Sequence, residues 1–223
     1  MRILIGCECS GTVRDAFSRQ GHDAYSCDVK RDERGSNRHF VADVLDAIDP
    51  ANAHIFGKWD MLAVMHPPCT RLCNSGVRWL KVPPPNKTLD EMWKELDDGA
   101  ALFNSCLNAD IPHIAIENPV MHKYAKERIN FGDTKPFYVQ PWQFADSDDS
   151  PDNEKKRTGF WTRGLKPLIP TGKVDGSTAR SSVHFASPSK DRATERSRFF
   201  SGMADAMAEQ WGQLAENAMG RTI

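Results

Sequence analysis

The sequence predicts an α/β fold, a mostly parallel sheet with helices on both faces. Three observations carry that expectation. Over residues 1–120, short apolar runs alternate with segments of helical periodicity, as strands joined by crossover helices do. Residues with chemical potential stand where three of those strands end, the edge at which open α/β sheets place their sites. The length of 223 residues, with 39% hydrophobic and 26% charged, suits one domain with its own core.

The elements read in order as follows. Arg2–Glu8 is a strand, and Gly11–Gln20 a helix ended by Gly21. Asp23–Val29 and His39–Asp43 are the second and third strands. Trp59–Met65 is the fourth, running into His66-Pro67-Pro68, which cannot continue a central ladder. The segment from Cys69 to Thr88, with Pro83-Pro84-Pro85, exceeds the usual connection and reads as a flexible binding loop or lid. Leu89–Asn108 has helical periodicity through Met92, Leu96, Ala100, Phe103 and Leu107. Ile111–Ile116 is the fifth strand, ending at Glu117-Asn118-Pro119. Pro136–Phe144 and Thr158–Leu165 read as a strand pair around an acidic, mobile loop from Asp146 to Glu154. An amphipathic helix over Gly202–Met219 closes the chain, with Met203, Met207, Trp211 and Leu214 on its apolar face. Neither a repeat nor an interdomain linker is visible, so the expectation is one domain over 1–223.

Composition narrows the function classes. The net charge of −1 does not advertise nucleic-acid binding, so any such contact needs a local patch. Lys155-Lys156-Arg157 through Arg163 is one candidate and Lys190 to Arg198 another; each reads equally as solvated surface. Six scattered cysteines in a chain of this length do not form a disulfide framework. The close pairs Cys7/Cys9 and Cys69/Cys73 match no common zinc spacing, so no metal is expected. No apolar run approaches the roughly 20 residues of a membrane helix. The chain opens on a strand, not a basic and then apolar leader, and the expected location is the cytoplasm.

Three motifs carry the chemistry. Glu8-Cys9-Ser10-Gly11 follows the first strand, where a glycine lets backbone approach a ligand. Cys69 follows the Pro67-Pro68 stop, held off the core where a thiolate can act. Glu117 ends an apolar strand, where desolvation raises a carboxyl toward the range of a proton donor at neutral pH. Taken singly, each has an ordinary reading as a turn, a loop thiol or a solvated acid.

Taken together, the three resemble the cytosine-5 DNA methyltransferase family. Ser10-Gly11, Pro68-Cys69 and Glu117-Asn118-Pro119 match its Ser-Gly, Pro-Cys and Glu-Asn-Val motifs, in the same order and on the same kinds of element. The resemblance covers 1–120 well and the tail weakly, and its look is that of small, divergent phage and prophage enzymes. It implies a Rossmann-like S-adenosylmethionine-dependent methyltransferase fold in a bacterial cell, with a flipped cytosine in duplex or single-stranded DNA as substrate. S-adenosylmethionine, or a derivative, would be bound by Glu8, Cys9, Ser10, Gly11 and Thr12, by Asp28 and Val29, by Asp43 and Val44, and by Pro67. Cys69 would be the nucleophile toward carbon 6, Glu117 the carboxyl that meets the ring, Asn118 its orienting partner and Arg157 a support for the base. Arg71, Asn74, Ser75, Arg78, Lys155, Lys156 and Arg163 would face DNA, and the last helix would pack back against the cofactor pocket.

The chain also departs from that pattern. Cys7 and Glu8 stand where the family's first loop is glycine-rich, and His66 replaces a small residue before Pro-Pro. Only about residues 165–195 remain for target recognition, which implies a short or loose sequence preference, a single-stranded substrate or a protein partner that supplies specificity. Three alternatives stay open: transfer of a larger group, such as one from a carboxylated donor; a non-catalytic binder derived from a methyltransferase; and an enzyme acting on RNA or free nucleotides.

Overall fold

The computed structural model describes residues 1–182 and 199–213. The basic stretch Lys190 to Arg198 and the end of the expected last helix, Leu214 to Met219, lie outside the described residues. Seven strands form one sheet: β1 (Arg2–Gly6), β2 (Asp23–Asp28), β3 (His39–Val41), β4 (Met61–Val64), β5 (His113–Asn118), β6 (Phe137–Val139) and β7 (Thr158–Arg163). Their spatial order is β3-β2-β1-β4-β5-β7-β6. The first five run parallel. β7 is antiparallel to both its neighbours, β5 and β6. The helices are α1 (Thr12–Arg19), α2 (Val44–Ile48), α3 (Ala53–Phe56), α4 (Leu89–Leu107), α5 (Lys123–Lys126) and α6 (Ser201–Gly212). The chain leaves β1 toward β2 on one side and returns to β4 on the other, and that reversal opens a crevice at the carboxyl ends of β1 and β4. This is a Rossmann-like architecture, a mostly parallel sheet with helices on both faces.

Strand alternation sorts the apolar residues into two layers. Leu4, Leu62, Val64, Ile114 and Ile116 face the side covered by α2, α3 and α4. Ile3, Ile5, Met61, Ala63 and Ala115 face α1 and α6. Every residue of β4 is buried, as in a parallel strand covered on both faces. Aromatic rings fill the β7 side: Trp161 lies edge-on to Phe103 at 5.4 Å on one face, and Trp211 meets Phe160 at 5.8 Å on the other. α4 starts at a capping box, with the Thr88 hydroxyl on the Glu91 N–H and the Glu91 carboxylate on the Thr88 N–H.

Several elements differ from the sequence reading. β5 runs through Asn118, because Glu117 and Asn118 pair with Phe160 and Gly159 of β7. The second half of Pro136–Phe144 is a 3₁₀ turn, since Pro141 has no N–H for a ladder. The acidic loop is anchored, not mobile. Asp152, Asn153 and Glu154 are buried, and Asp152 Oδ2 accepts from the Gly202 N–H (2.8 Å) and the Ser201 hydroxyl (3.1 Å). Asp152 thereby holds the start of α6, which the sequence could not pair across 50 residues. The Cys69–Thr88 segment likewise contains a 3₁₀ turn, Asn74–Leu80, with Leu72, Gly76 and Leu80 buried. Only a glycine fits at 76, where a Cβ would lie 1.7 Å from the Thr70 carbonyl oxygen.

Candidate active site

A cavity of 390 Å³ opens at the carboxyl ends of β1 to β4, within the range of small-molecule sites. Cys7, Cys9 and Ser10 line it after β1, and Asp28, Val29, Lys30 and Glu33 after β2. Asp43 and Val44 line it after β3, His66 and Pro68 after β4, and Leu102 from α4. Asp28 and Asp43 are each anchored through one carboxylate oxygen, to the N–H of Lys30 and of Leu45, both at 2.9 Å. The Asp43 contact also caps α2.

Of the residues expected to hold a cofactor, Cys9, Ser10, Asp28, Val29, Asp43 and Val44 border this cavity. Glu8, Gly11, Thr12 and Pro67 do not. Glu8 is buried and turned into the protein. Its Oε1 accepts from the Val13 N–H (2.8 Å) and its Oε2 from the Arg14 N–H (3.2 Å), so it caps α1. Burial pushes its carboxyl above the ordinary carboxylate range. Gly11 has φ +70°, and a Cβ there would meet the Arg14 guanidinium at 2.3 Å. Arg14, itself buried, donates to Ser26 (2.9 Å) and Asp32 (2.6 Å), tying the first loop to the loop after β2. Cys7 sits at φ +55°, a left-handed conformation rare outside glycine, and this turns the chain along the cavity wall. No sequence signal marks Cys7 for that role; Leu102 reaches the cavity only through the packing of α4.

The catalytic candidates meet beside the cavity. A short clamp fixes the nucleophile loop to the chain leaving β5. Asn74 N–H donates to the Val120 carbonyl (3.0 Å), His122 N–H donates to the Leu72 carbonyl (3.1 Å), and Cys73 bridges Met121. Cys69 is half-buried, and Glu117 is 3% exposed. Burial pushes the Glu117 carboxyl up to about 7, with Lys156 opposing and Cys73 adding to the rise. Cys69 and Cys73 shift each other's titration. The hydrogen bond between them, then burial, holds Cys69 above the ordinary thiol range. The same bond lowers Cys73, helped by the Ser75 hydroxyl 3.0 Å away and by the backbone N–H groups of Gly76 and Ser75.

Lys156 is the residue whose place the sequence missed. Read there as one cation of a surface patch, it is half-buried and close enough to act electrostatically on Cys69, Glu117 and His66, favouring the charged form of the first two. Asn118 is not joined to Glu117. Neighbours on a strand point to opposite faces, and the Asn118 amide donates to the Pro119 carbonyl at 2.7 Å while its Oδ1 has no partner among the described residues.

The DNA-facing set divides. Asn74, Ser75, Arg78, Lys155 and Arg157 are exposed on this edge. Arg157 lies over the Tyr138 ring (4.4 Å) and Arg78 over Trp79 (4.3 Å). Arg71 is largely buried and paired with Glu95 at 2.7 Å. Arg163 is at the other end of β7, roughly 13 Å along the strand from Asn118, where it donates to the Ile111 carbonyl at 2.8 Å. α6 packs on α1, with Arg19 paired to Asp205, and none of its described residues lines the cavity. Among the described residues no group of His, Cys, Asp and Glu could hold a metal ion, and no helix is long and apolar enough to cross a membrane.

No protein-family model matches the chain, and no curated protein matches it. Among solved structures, a candidate DNA modification methyltransferase encoded within a prophage of E. coli is similar at 14% identity and a TM-score of 0.44. The similarity covers 72% of this chain and 45% of that one, so the chain spans less than half the length of that neighbour.

Proposed function

We propose that this chain transfers a methyl group from S-adenosylmethionine to carbon 5 of cytosine in DNA, with Cys69 as covalent nucleophile. The observation that carries this reading is the meeting of Cys69, Glu117 and Lys156, from three separate stretches of chain, beside a nucleoside-sized cavity. The cavity residues fit such a donor. Asp28 and Asp43 would hold its hydroxyl and amine groups, Val29, Val44 and Leu102 would cover its flat base, and Cys9 and Ser10 would meet its amino-acid end. When bound, the donor supplies an electrophilic methyl group on a positively charged sulfur.

Cytosine carbon 5 is too weak a nucleophile to take that methyl unaided. Cys69, its proton passed away through the Cys73 hydrogen bond, adds through Sγ to carbon 6, and the displaced π pair moves to carbon 5. Charge builds on the ring, and Glu117 retains a proton near neutral pH with which to hydrogen-bond the ring nitrogen. Lys156 offsets the negative charge of thiolate and ring. Carbon 5 uses that pair to form its bond to the methyl group. The carbon-5 proton then leaves, its pair re-forming the C5–C6 double bond as the Sγ–C6 bond breaks with its pair returning to Cys69. Both ring faces are used, so the base must leave the duplex. Lys155, Arg157 and Arg78 on the same edge suit the flanking phosphates.

The test is to incubate the protein with S-adenosylmethionine and duplex DNA, single-stranded DNA or RNA, digest the product and weigh the nucleosides, with Cys69→Ala in parallel. 5-Methylcytosine from the wild type alone supports the reading. A heavier cytosine would move the reading to a larger transferred group on the same nucleophile, and no modified base from any substrate would reduce the protein to a binder.

A further inference from the structure

His66 is half-buried, and one of its ring nitrogens has no structural explanation. Its Nε2 is shielded from solvent and has no hydrogen-bond partner among the described residues. An unpaired buried polar atom is costly to the fold, and such a group calls for a reason. The imidazole forms part of the cavity wall, three residues before Cys69, with Phe199 packed at 5.9 Å on its other side. It therefore stands where the donor cavity meets the nucleophile. Facing it are Lys156 and, around the same cavity, Asp28, Lys30, Glu33 and Asp43. Burial, then Lys156, holds it well below the ordinary histidine range, so it is neutral at physiological pH.

The reaction proposed above lacks one participant, a base for the carbon-5 proton. Glu117 is occupied as a proton donor, Lys156 is a cation, and Cys69 is covalently bound at that moment. We propose that His66 is a further catalytic residue, the acceptor of the carbon-5 proton; this rests on the cytosine-5 reading. The C5–H bond breaks, and its pair forms the C5–C6 double bond. The C6–Sγ bond breaks with its pair going to Cys69, and the proton passes to the imidazole and on to solvent. Burial and Lys156 keep His66 neutral and so able to accept a proton, and a bound donor in the adjoining cavity would add its positive charge to the same effect until transfer.

The experiment compares wild type with His66→Gln and His66→Ala on two DNAs, one with cytosine and one with 5-fluorocytosine. Fluorine cannot leave as a cation, so the fluorinated base halts the reaction at the methylated Cys69 adduct whether or not a base is present. On 5-fluorocytosine, His66→Gln should form the denaturant-stable adduct, weighed intact, at close to the wild-type rate. On cytosine it should accumulate that adduct while the wild type does not, with product release slowed by about 10²-fold or more. Added imidazole should speed release from His66→Ala. Wild-type release rates in the variants, or an adduct equally slowed on both DNAs, would overturn the assignment. If the wild type forms no adduct on 5-fluorocytosine, the cytosine-5 reading falls and the assignment with it.

Discussion

Replacing Glu117 by Gln isolates the consequence of burying that carboxyl. The side chain is 3% exposed and titrates at about 7 instead of 4.5. Between those two values the unfolded chain has released the proton while the folded one retains it. The native state then binds more protons, so stability falls as pH rises, by about 1.4 kcal/mol per unit. Across the window the loss is about 3 kcal/mol, complete once pH passes about 7. Gln keeps the shape and a neutral hydrogen-bonding head but has nothing to ionise. Denaturant unfolding of both proteins from pH 4.5 to 8 should show the variant gaining on the wild type by about 3 kcal/mol, or roughly 6–12 °C in melting temperature, then levelling. A difference that stays constant across this range within about 0.5 kcal/mol would mean that the carboxyl ionises as an ordinary acid. The argument for Glu117 as a protonated partner of the base would then fail. In activity, the same carboxyl predicts that kcat/KM falls about tenfold per unit above pH 7.

Other perturbations separate the parts of the site. Asp43→Ala should weaken donor binding about tenfold by calorimetry and cost about 1 kcal/mol of stability, because the same carboxylate caps α2. Gly76→Ala, whose new Cβ would collide with the Thr70 carbonyl, should leave donor affinity near wild type while single-turnover transfer drops by at least about 10²-fold, since the clamp holding Cys69 must shift. Lys155→Ala and Arg157→Ala should each weaken DNA binding and lower the salt slope by about one, whereas Arg163→Ala should leave both unchanged in a fluorescence titration.

The parallel half of the fold was legible because period-2 and helical apolar patterns are local signals. β1, β2, β4 and α4 lie within a residue or two of where periodicity put them. The placement of Cys69 and Glu117 at one edge was legible for a related reason: strand ends are visible in sequence, and in an open parallel sheet they converge. What lay hidden depends on contacts across long separations. Asn118 was expected to orient Glu117, yet the β7 pairing that extends the strand puts the two on opposite faces. Arg163 follows Arg157 closely in sequence, but β7 runs antiparallel and carries it away from the site. Lys156 turns inward and Asp152 reaches α6 through packing that no local pattern encodes.

The capping of α1 by Glu8 has a consequence for which ligands this sheet can accept. In related architectures the amino end of the first helix is where the pyrophosphate of a dinucleotide rests, drawn by free N–H groups and the helix dipole. In this chain the N–H groups of Val13 and Arg14 are already engaged by the protein's own carboxyl group, locked in place by the buried Arg14 network behind it. A nicotinamide or flavin dinucleotide would have to evict that group and find somewhere else to bury it. The first loop thus closes the phosphate seat at this helix end from within.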